Sequence, residues 1–256
     1  MLNESTIGKL RNFIVNQKNA DIDVNLYHEW EDPIRYFQKN KIGVELDTYK
    51  EVILQEETGL ELGGMNKESF LMIYPMKEKN LLQDGNITLI GPEINYIQHK
   101  SIDFGLLLLI SIKDQPSQEL KQLNSFTFIS NSIEGFSIRS VPRKFWSRIS
   151  TQVLNKGFSF QILANAIFYL YRTRFADIIE TMEMILINSY PNIIENFLIV
   201  SSELTSRLKE KWLKKLDDWK KRIDCDYEWG CEICPYQVEC YEIKKVMVAR
   251  NEKEEI

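Results

Sequence analysis

The sequence predicts an α+β fold: a mixed sheet packed with helices, then a long C-terminal helix followed by a small cysteine-rich metal knuckle. Three observations predict it. Strand-like apolar stretches cluster between residues 50 and 112, ahead of the main helical stretches, instead of alternating regularly with them. The run Phe104–Ile112, FGLLLLISI, is apolar without a break, as in a strand buried on both faces. All four cysteines fall within 16 residues near the C-terminus.

Residues 1–50 read as a polar, helical segment. Ser5 or Thr6 is placed to cap a helix carrying Leu10, Phe13 and Ile14, and Pro33 opens a second helix with Ile34 and Phe37 on one side. Residues 51–222 read as the α+β domain. Its expected strands are Leu60–Leu62, ended by Gly63-Gly64, then Ser69–Tyr74, Ile87–Ile90 and Phe104–Ile112. Asp84-Gly85 is a hairpin-type turn leading into the third of these, which stops at Gly91-Pro92. Gly63-Gly64 is not a phosphate loop, because neither Lys-Ser/Thr nor a GxGxxG pattern follows.

Residues 117–133 suit either helix or strand, with Phe126, Phe128 and Ile129 apolar, and Glu134-Gly135 ends them. Arg139, Arg143, Lys144 and Arg148 then surround Phe145 and Trp146. Ile162, Ala166, Tyr169 and Leu170 mark helices over 150–176, and Met182–Ile187 is a strand. Pro191 opens a long helix to about Arg222, with Leu204, Leu208, Trp212, Leu216, Trp219 and Ile223 as its apolar stripe. Residues 223–256 hold the cysteines and a last helix near Gln237–Arg250.

Composition narrows the function. Hydrophobic residues make up 44% and charged residues 27%, enough for a packed core and a soluble surface. A net charge of −5 disfavours general nucleic-acid binding, which needs basic patches to neutralise phosphates. The nine-residue run Phe104–Ile112 is far shorter than the roughly 20 residues of a membrane helix. The N-terminus carries no apolar secretory core, which predicts a cytoplasmic protein. One local exception to the acidic balance is the stretch Arg207–Arg222, with eight Lys/Arg against three acids. It reads as a solvated helix face or as a docking face for an acidic partner protein. His28, beside Trp30, and His99, after Gly91-Pro92, read as surface or packed histidines.

Disulfides are disfavoured in the cytoplasm, so the cysteines read as ligands. Cys225, Cys231, Cys234 and Cys240 follow the spacing C-x5-C-x2-C-x5-C. The inner pair aims two thiolates at one metal, and the outer pair can reach back to complete a tetrahedral set. Four thiolates satisfy a 4Fe-4S cubane or a closed zinc site, and a redox dithiol or unliganded thiols are the third possibility. Pro235 after Cys234, and the shielding aromatics Tyr227, Trp229, Tyr236 and Tyr241, favour the cluster.

Several stretches occur in a familiar order. They are Glu61-Leu-Gly-Gly64 with Ser69-Phe70, then Asp84-Gly-Asn-Ile-Thr-Leu-Ile-Gly-Pro-Glu93, Ile133-Glu-Gly135, Trp146 with Arg148-Ile-Ser150, and Asn155-Lys-Gly157. Arg174-Phe175 and the strand Met182–Ile187 follow in order. With these, residues from about 55 to 200 resemble the middle region of the acetyl-CoA synthase subunit of the carbon monoxide dehydrogenase/acetyl-CoA synthase complex. The resemblance implies that Cys231 and Cys234 sit where that family opens its nickel-bearing A-cluster. It also implies coenzyme A near Trp146 and Arg148, with Arg143 close by.

The departures are specific. Cys240 comes too early for the family's downstream cysteines, Cys225 is an addition, and the family's Cys-Gly-Cys element is missing. Pro142-Arg143 stands where the family has Arg-Asp. The expectation is a shortened relative that keeps the fold and a simple cluster without nickel chemistry. It would be an accessory or electron-transfer subunit in anaerobic one-carbon and acetyl-CoA metabolism, with a corrinoid or CO dehydrogenase protein as partner. The alternatives are an acyl or methyl transferase subunit acting with partners, a CO-methylating acetyl-CoA synthase-like enzyme, and a zinc-stapled interaction module.

Overall fold

Ile7, Leu10, Phe13 and Ile14 recur at helical spacing and form the buried stripe of α1 (Leu2–Asn19). A computed structural model of the chain describes residues 2–20, 22–49, 52–64, 66–113, 126–141 and 144–201, together with Leu123. The helix begins ahead of Ser5 and Thr6, so neither caps it. A strand, β1 (Val24–His28), then interrupts what reads as a helical segment. Asp32 caps α2 (Pro33–Lys39) by accepting the Arg35 N–H. Phe37 is buried against Trp30 and Tyr169 while Ile34 is exposed, so the two do not share the packed side.

The β-rich stretch supplies β2 (Thr58–Gly63), β3 (Ser69–Met76), β4 (Asn86–Ile90), β5 (Ser101–Ile102) and β6 (Phe104–Ile112). In the ambiguous segment Leu123 is helical, and Thr127–Ser130 form a short helix, α3. Arg139, Lys144 and Arg148 lie on two strands, β7 (Phe136–Val141) and β8 (Lys144–Ser150), which pair antiparallel. Then come α4 (Thr151–Asn155), α5 (Phe160–Arg174) and β9 (Ile179–Asn188). A helix at 191–201, α6, opens at Pro191 as expected. The remainder of that helix, the four cysteines and the last helix lie outside the described residues.

The strands form two mixed sheets, ordered β1-β4-β9-β6-β3 and β5-β2-β8-β7. The fold is therefore α+β, as the pattern predicts, with two sheets in place of one. Asp84-Gly85 makes a turn but not a hairpin, since β4 pairs with β1 and β9 and not with β3. The turn is held from a distance: Gly85 N–H donates to Met182 O, and Met182 N–H donates to Asp84.

Alternation divides the five-stranded sheet into two apolar faces. On one, Phe104, Leu106, Leu108 and Ile110 of β6 join Met182, Met184 and Leu186 of β9 in the main core. The four-stranded sheet contributes Leu60, Leu62, Phe145 and Ile149 to the same core, and α5 contributes Ile162, Leu163, Ala166, Ile167 and Leu170. Phe104 packs at 5.6 Å from Phe145 and 5.7 Å from Phe160, joining sheet, sheet and helix. The opposite face carries Leu107, Leu109, Ile185 and Ile187, all buried. Here Phe13 of α1 and Phe70 of β3 both pack on Phe197 of α6.

One charge interrupts that second face. Glu183 of β9 is fully buried, and Arg11 of α1 engages both of its carboxylate oxygens. The Gln83 N–H also donates to it at 3.0 Å. A carboxylate inside a strand is tolerable only with such partners, because removing one leaves a buried, unpaired charge. Elsewhere, Glu134 accepts the Gly43 N–H and the Lys156 ammonium. Burial acts to raise the Glu134 pKa, but these two donors hold it below the ordinary carboxylate range.

Arg11→Ala is expected to destabilise the protein by about 2–4 kcal/mol in urea unfolding, and the pair Arg11→Met with Glu183→Leu to recover most of that loss. The Glu134 contact stabilises the fold above the unfolded-state pKa, about 4.3. That contribution is lost as pH falls through the lowered folded value. Glu134→Gln should therefore flatten the acid side of a melting-temperature profile and converge with the parent at low pH.

Candidate functional site

The four-stranded sheet turns one side of each strand to the core and the other outward. In β8, Phe145, Ser147 and Ile149 are buried inward, so Trp146 and Arg148 point to the outer face. Register then selects their neighbours. Arg139 of β7 lies directly across from Trp146, and Gly63 of β2 lies across from it on the other side. Arg148 stands between Ser137 of β7 and Glu61 of β2.

The two arginines on this face differ in environment. Arg148 is 7% exposed. Its Nε donates to Glu61 Oε1 at 2.8 Å and its Nη1 to the Ile53 carbonyl at 3.1 Å. Arg139 is exposed, and no carboxylate among the described residues pairs with it. Its guanidinium carbon lies 4.6 Å from the centroid of the Trp146 ring, against 5.7 Å for that of Arg148.

Trp146 is half-buried, and its indole N–H is enclosed without an acceptor among the described residues. The Ser69 and Ser147 hydroxyls are likewise buried without partners. Gly63 and Gly64 both adopt positive φ, +71° and +126°, beside the indole. A Cβ on Gly63 would lie 2.2 Å from the Phe145 carbonyl oxygen, so this close approach of β2 to β8 requires glycine.

Two clefts lie elsewhere. One, of about 490 Å³, is lined by Tyr27, Glu93, Asn95, Ser159 and Gln161 at the start of α5. Glu93 accepts the N–H groups of Ile94, Phe160 and Gln161, so it serves the first two N–H groups of α5, while Ser159 caps the helix by accepting the Ile162 N–H. Burial and the adjacent Glu93 carboxylate push the Tyr27 phenol above its ordinary range. The other cleft, about 590 Å³, surrounds the stacked pair Trp30 and Tyr36. Asp32 in its lining is engaged in capping α2, and Glu29 accepts two donors from Arg172.

Of the residues singled out from sequence, the structure brings Trp146 and Arg148 together on one face. Arg143, Cys225, Cys231, Cys234 and Cys240 lie outside the described residues. Among the described residues no group of three or more His, Cys, Asp or Glu is placed to hold a metal. His28 and His99 are both exposed. Two members of the outer face escaped sequence reasoning: Glu61, which neutralises Arg148, and Arg139, which read only as a neighbour of Trp146. The alternation of apolar and polar residues through Phe136–Arg139 and Phe145–Ile149 is the signal that could have placed both arginines on one side of a hairpin.

Residues 44–193, more than half of the chain, match the family described as the CO dehydrogenase/acetyl-CoA synthase complex beta subunit. No curated protein matches the chain. The matched stretch contains every described strand except β1, and with them the whole Trp146 face. Among the described residues no helix is long and apolar enough to cross a membrane.

Removing the partner of Arg148 tests its structural role. Glu61→Ala should lower stability by about 1–3 kcal/mol in urea unfolding, because it leaves a mostly buried guanidinium with only the Ile53 carbonyl. Glu61→Asp, which keeps the charge, should cost less.

Proposed function

The chain belongs to the family of the CO dehydrogenase/acetyl-CoA synthase complex beta subunit, and from that premise we propose that it is an iron–sulfur subunit of such a system, accessory to it or passing electrons within it. The observation that carries this reading is a donor set of four thiolates, within one short segment, on a chain whose matched domain ends shortly before them. Thiolates are the ligands of iron–sulfur clusters, and four fit one cubane. Cys225, Cys231, Cys234 and Cys240 would hold it, and when bound it would supply one-electron transfer. A cubane engages all four, so none is left to bridge to a second metal.

The chain's own residues supply the rest of the reading. The basic stretch Arg207–Arg222 directly precedes the cysteines and suits an acidic partner, such as a corrinoid or nickel protein exchanging electrons with the cluster. The same composition gives electrostatic steering, which weakens as ionic strength rises.

A second reading is an acyl or methyl transferase subunit that works with partners. It is favoured by the outer face of the four-stranded sheet. There the Trp146 indole lies beside the Arg139 guanidinium, which has no carboxylate partner among the described residues, and this suits an adenine ring and a phosphate of coenzyme A. In this reading Trp146 contacts the coenzyme, and Arg148 and Arg143 flank it.

Anaerobic purification followed by iron, sulfide and zinc quantification separates the readings. A cubane requires about four iron and four sulfide per chain and an EPR signal on reduction, both lost in Cys234→Ser. Stoichiometric zinc without sulfide would overturn the iron–sulfur reading and leave a zinc-stapled module.

A further inference from the structure

The four cysteines fall in a tract of a single charge sign. From Ile223 to Ile243 the sequence has six carboxylates, Asp224, Asp226, Glu228, Glu232, Glu239 and Glu242, and neither lysine nor arginine. Across the whole chain the two signs nearly balance, 32 Lys and Arg against 37 Asp and Glu, so composition alone does not produce such a tract. The carboxylates also follow the cysteines. Asp226 comes directly after Cys225, Glu232 directly after Cys231, and Glu239 directly before Cys240. Glu232 is in addition two positions before Cys234. In the described part, by contrast, Glu183, Glu134 and Glu61 are each paired with a cation. The cations nearest the cysteines in sequence are Arg222 and Lys244, three positions before Cys225 and four after Cys240.

Covalent geometry makes the proximity of these charges independent of conformation. Neighbouring Cα atoms are about 3.8 Å apart, so a carboxylate next to a ligating cysteine stays within roughly 14 Å of the metal. Four thiolates around iron make an anionic centre, and an added electron makes it more negative. Carboxylates at that range disfavour the reduced state, and net charge is one of the levers that set a cluster's potential.

We infer that Asp226, Glu232 and Glu239 hold the cluster at low potential, so that it is a strong one-electron donor and is itself loaded by a low-potential electron carrier. This rests on the iron–sulfur reading and adds the direction in which that cluster passes electrons. One electron enters from the carrier and leaves to the acceptor, and no proton moves with it. The three carboxylates act through their charge and not as ligands, since the four thiolates complete the coordination.

The test is an anaerobic potentiometric titration of the full chain, followed by visible absorbance and EPR, with iron and sulfide counted in every sample. The triple variant Asp226→Asn, Glu232→Gln, Glu239→Gln should ease reduction about tenfold at low ionic strength, a rise of about 59 mV for a one-electron couple. Each single variant should give part of that rise. Salt should shrink the difference from the parent, because screening weakens a through-space charge effect. Arg222→Gln, which removes a nearby cation, should move the midpoint the opposite way. If the triple variant assembles no cluster, the single variants carry the same comparison. An unmoved midpoint in variants with full iron and sulfide would overturn the inference and leave the iron–sulfur reading intact. So would a rise that is equal at low and high salt, the mark of an altered cluster environment in place of a charge effect. A parent chain with zinc and no sulfide would overturn both.

Discussion

β9 runs through the middle of the larger sheet, parallel to β4 on one side and antiparallel to β6 on the other. Both β6 and β9 are buried on both faces. This pairing joins segments far apart in sequence, so its closure cost falls on the chain between them, and that chain contains β7 and β8, half of the second sheet. Once β6 and β9 are side by side, α5, which directly precedes β9, is brought over the main core. The turn at Asp84-Gly85 finds its partner in Met182. Glu183 is presented to α1, whose Arg11 closes the opposite face. The sheet thus dictates where the helices and the smaller sheet can lie.

The smaller sheet shows how a core requirement generates a surface. Phe145 must face inward to meet Phe104, and the pleat then turns Trp146 and Arg148 outward. Antiparallel register brings Arg139 beside the indole and Glu61 beside Arg148. Arginines two residues apart in space along one face thereby acquire opposite chemistry. The one nearer the centre of the sheet, bracketed by a carboxylate, becomes a strut. The one on the edge strand stays solvated and keeps its charge available. No catalytic requirement is needed to explain the strut, whereas the Arg139 guanidinium has no carboxylate partner and the Trp146 N–H no acceptor among the described residues.

Legibility followed the range of the interaction that decides each feature. Phe104–Ile112 was readable as a doubly buried strand because its composition alone excludes water from both sides. The helix at Phe160–Arg174 was readable from its apolar period, and α6 from Pro191. β1 was not, because a five-residue edge strand with Asn25 and an exposed Leu26 carries little apolar alternation of its own and is held by β4. The hairpin reading of Asp84-Gly85 failed for a related reason: the turn chemistry is local, but the strand that β4 joins arrives about a hundred residues later. At the outer face, Trp146 and the arginines were visible as residue types. Which arginine is neutralised was not, since Glu61 and the Ile53 carbonyl reach Arg148 only through cross-strand pairing.

By itself the sequence determined the fold class, the doubly buried strand, the main helices among the described residues, and the family resemblance that the match over residues 44–193 supports. These depend on composition, short-range periodicity and spacing, which a linear chain displays directly. Only the tertiary structure decided that there are two sheets, that Glu183 and Arg11 meet, and that Arg148 pairs with Glu61 while Arg139 lies over the Trp146 ring. Those outcomes depend on register between distant strands, and a shift of one residue would turn each of these side chains to the opposite face.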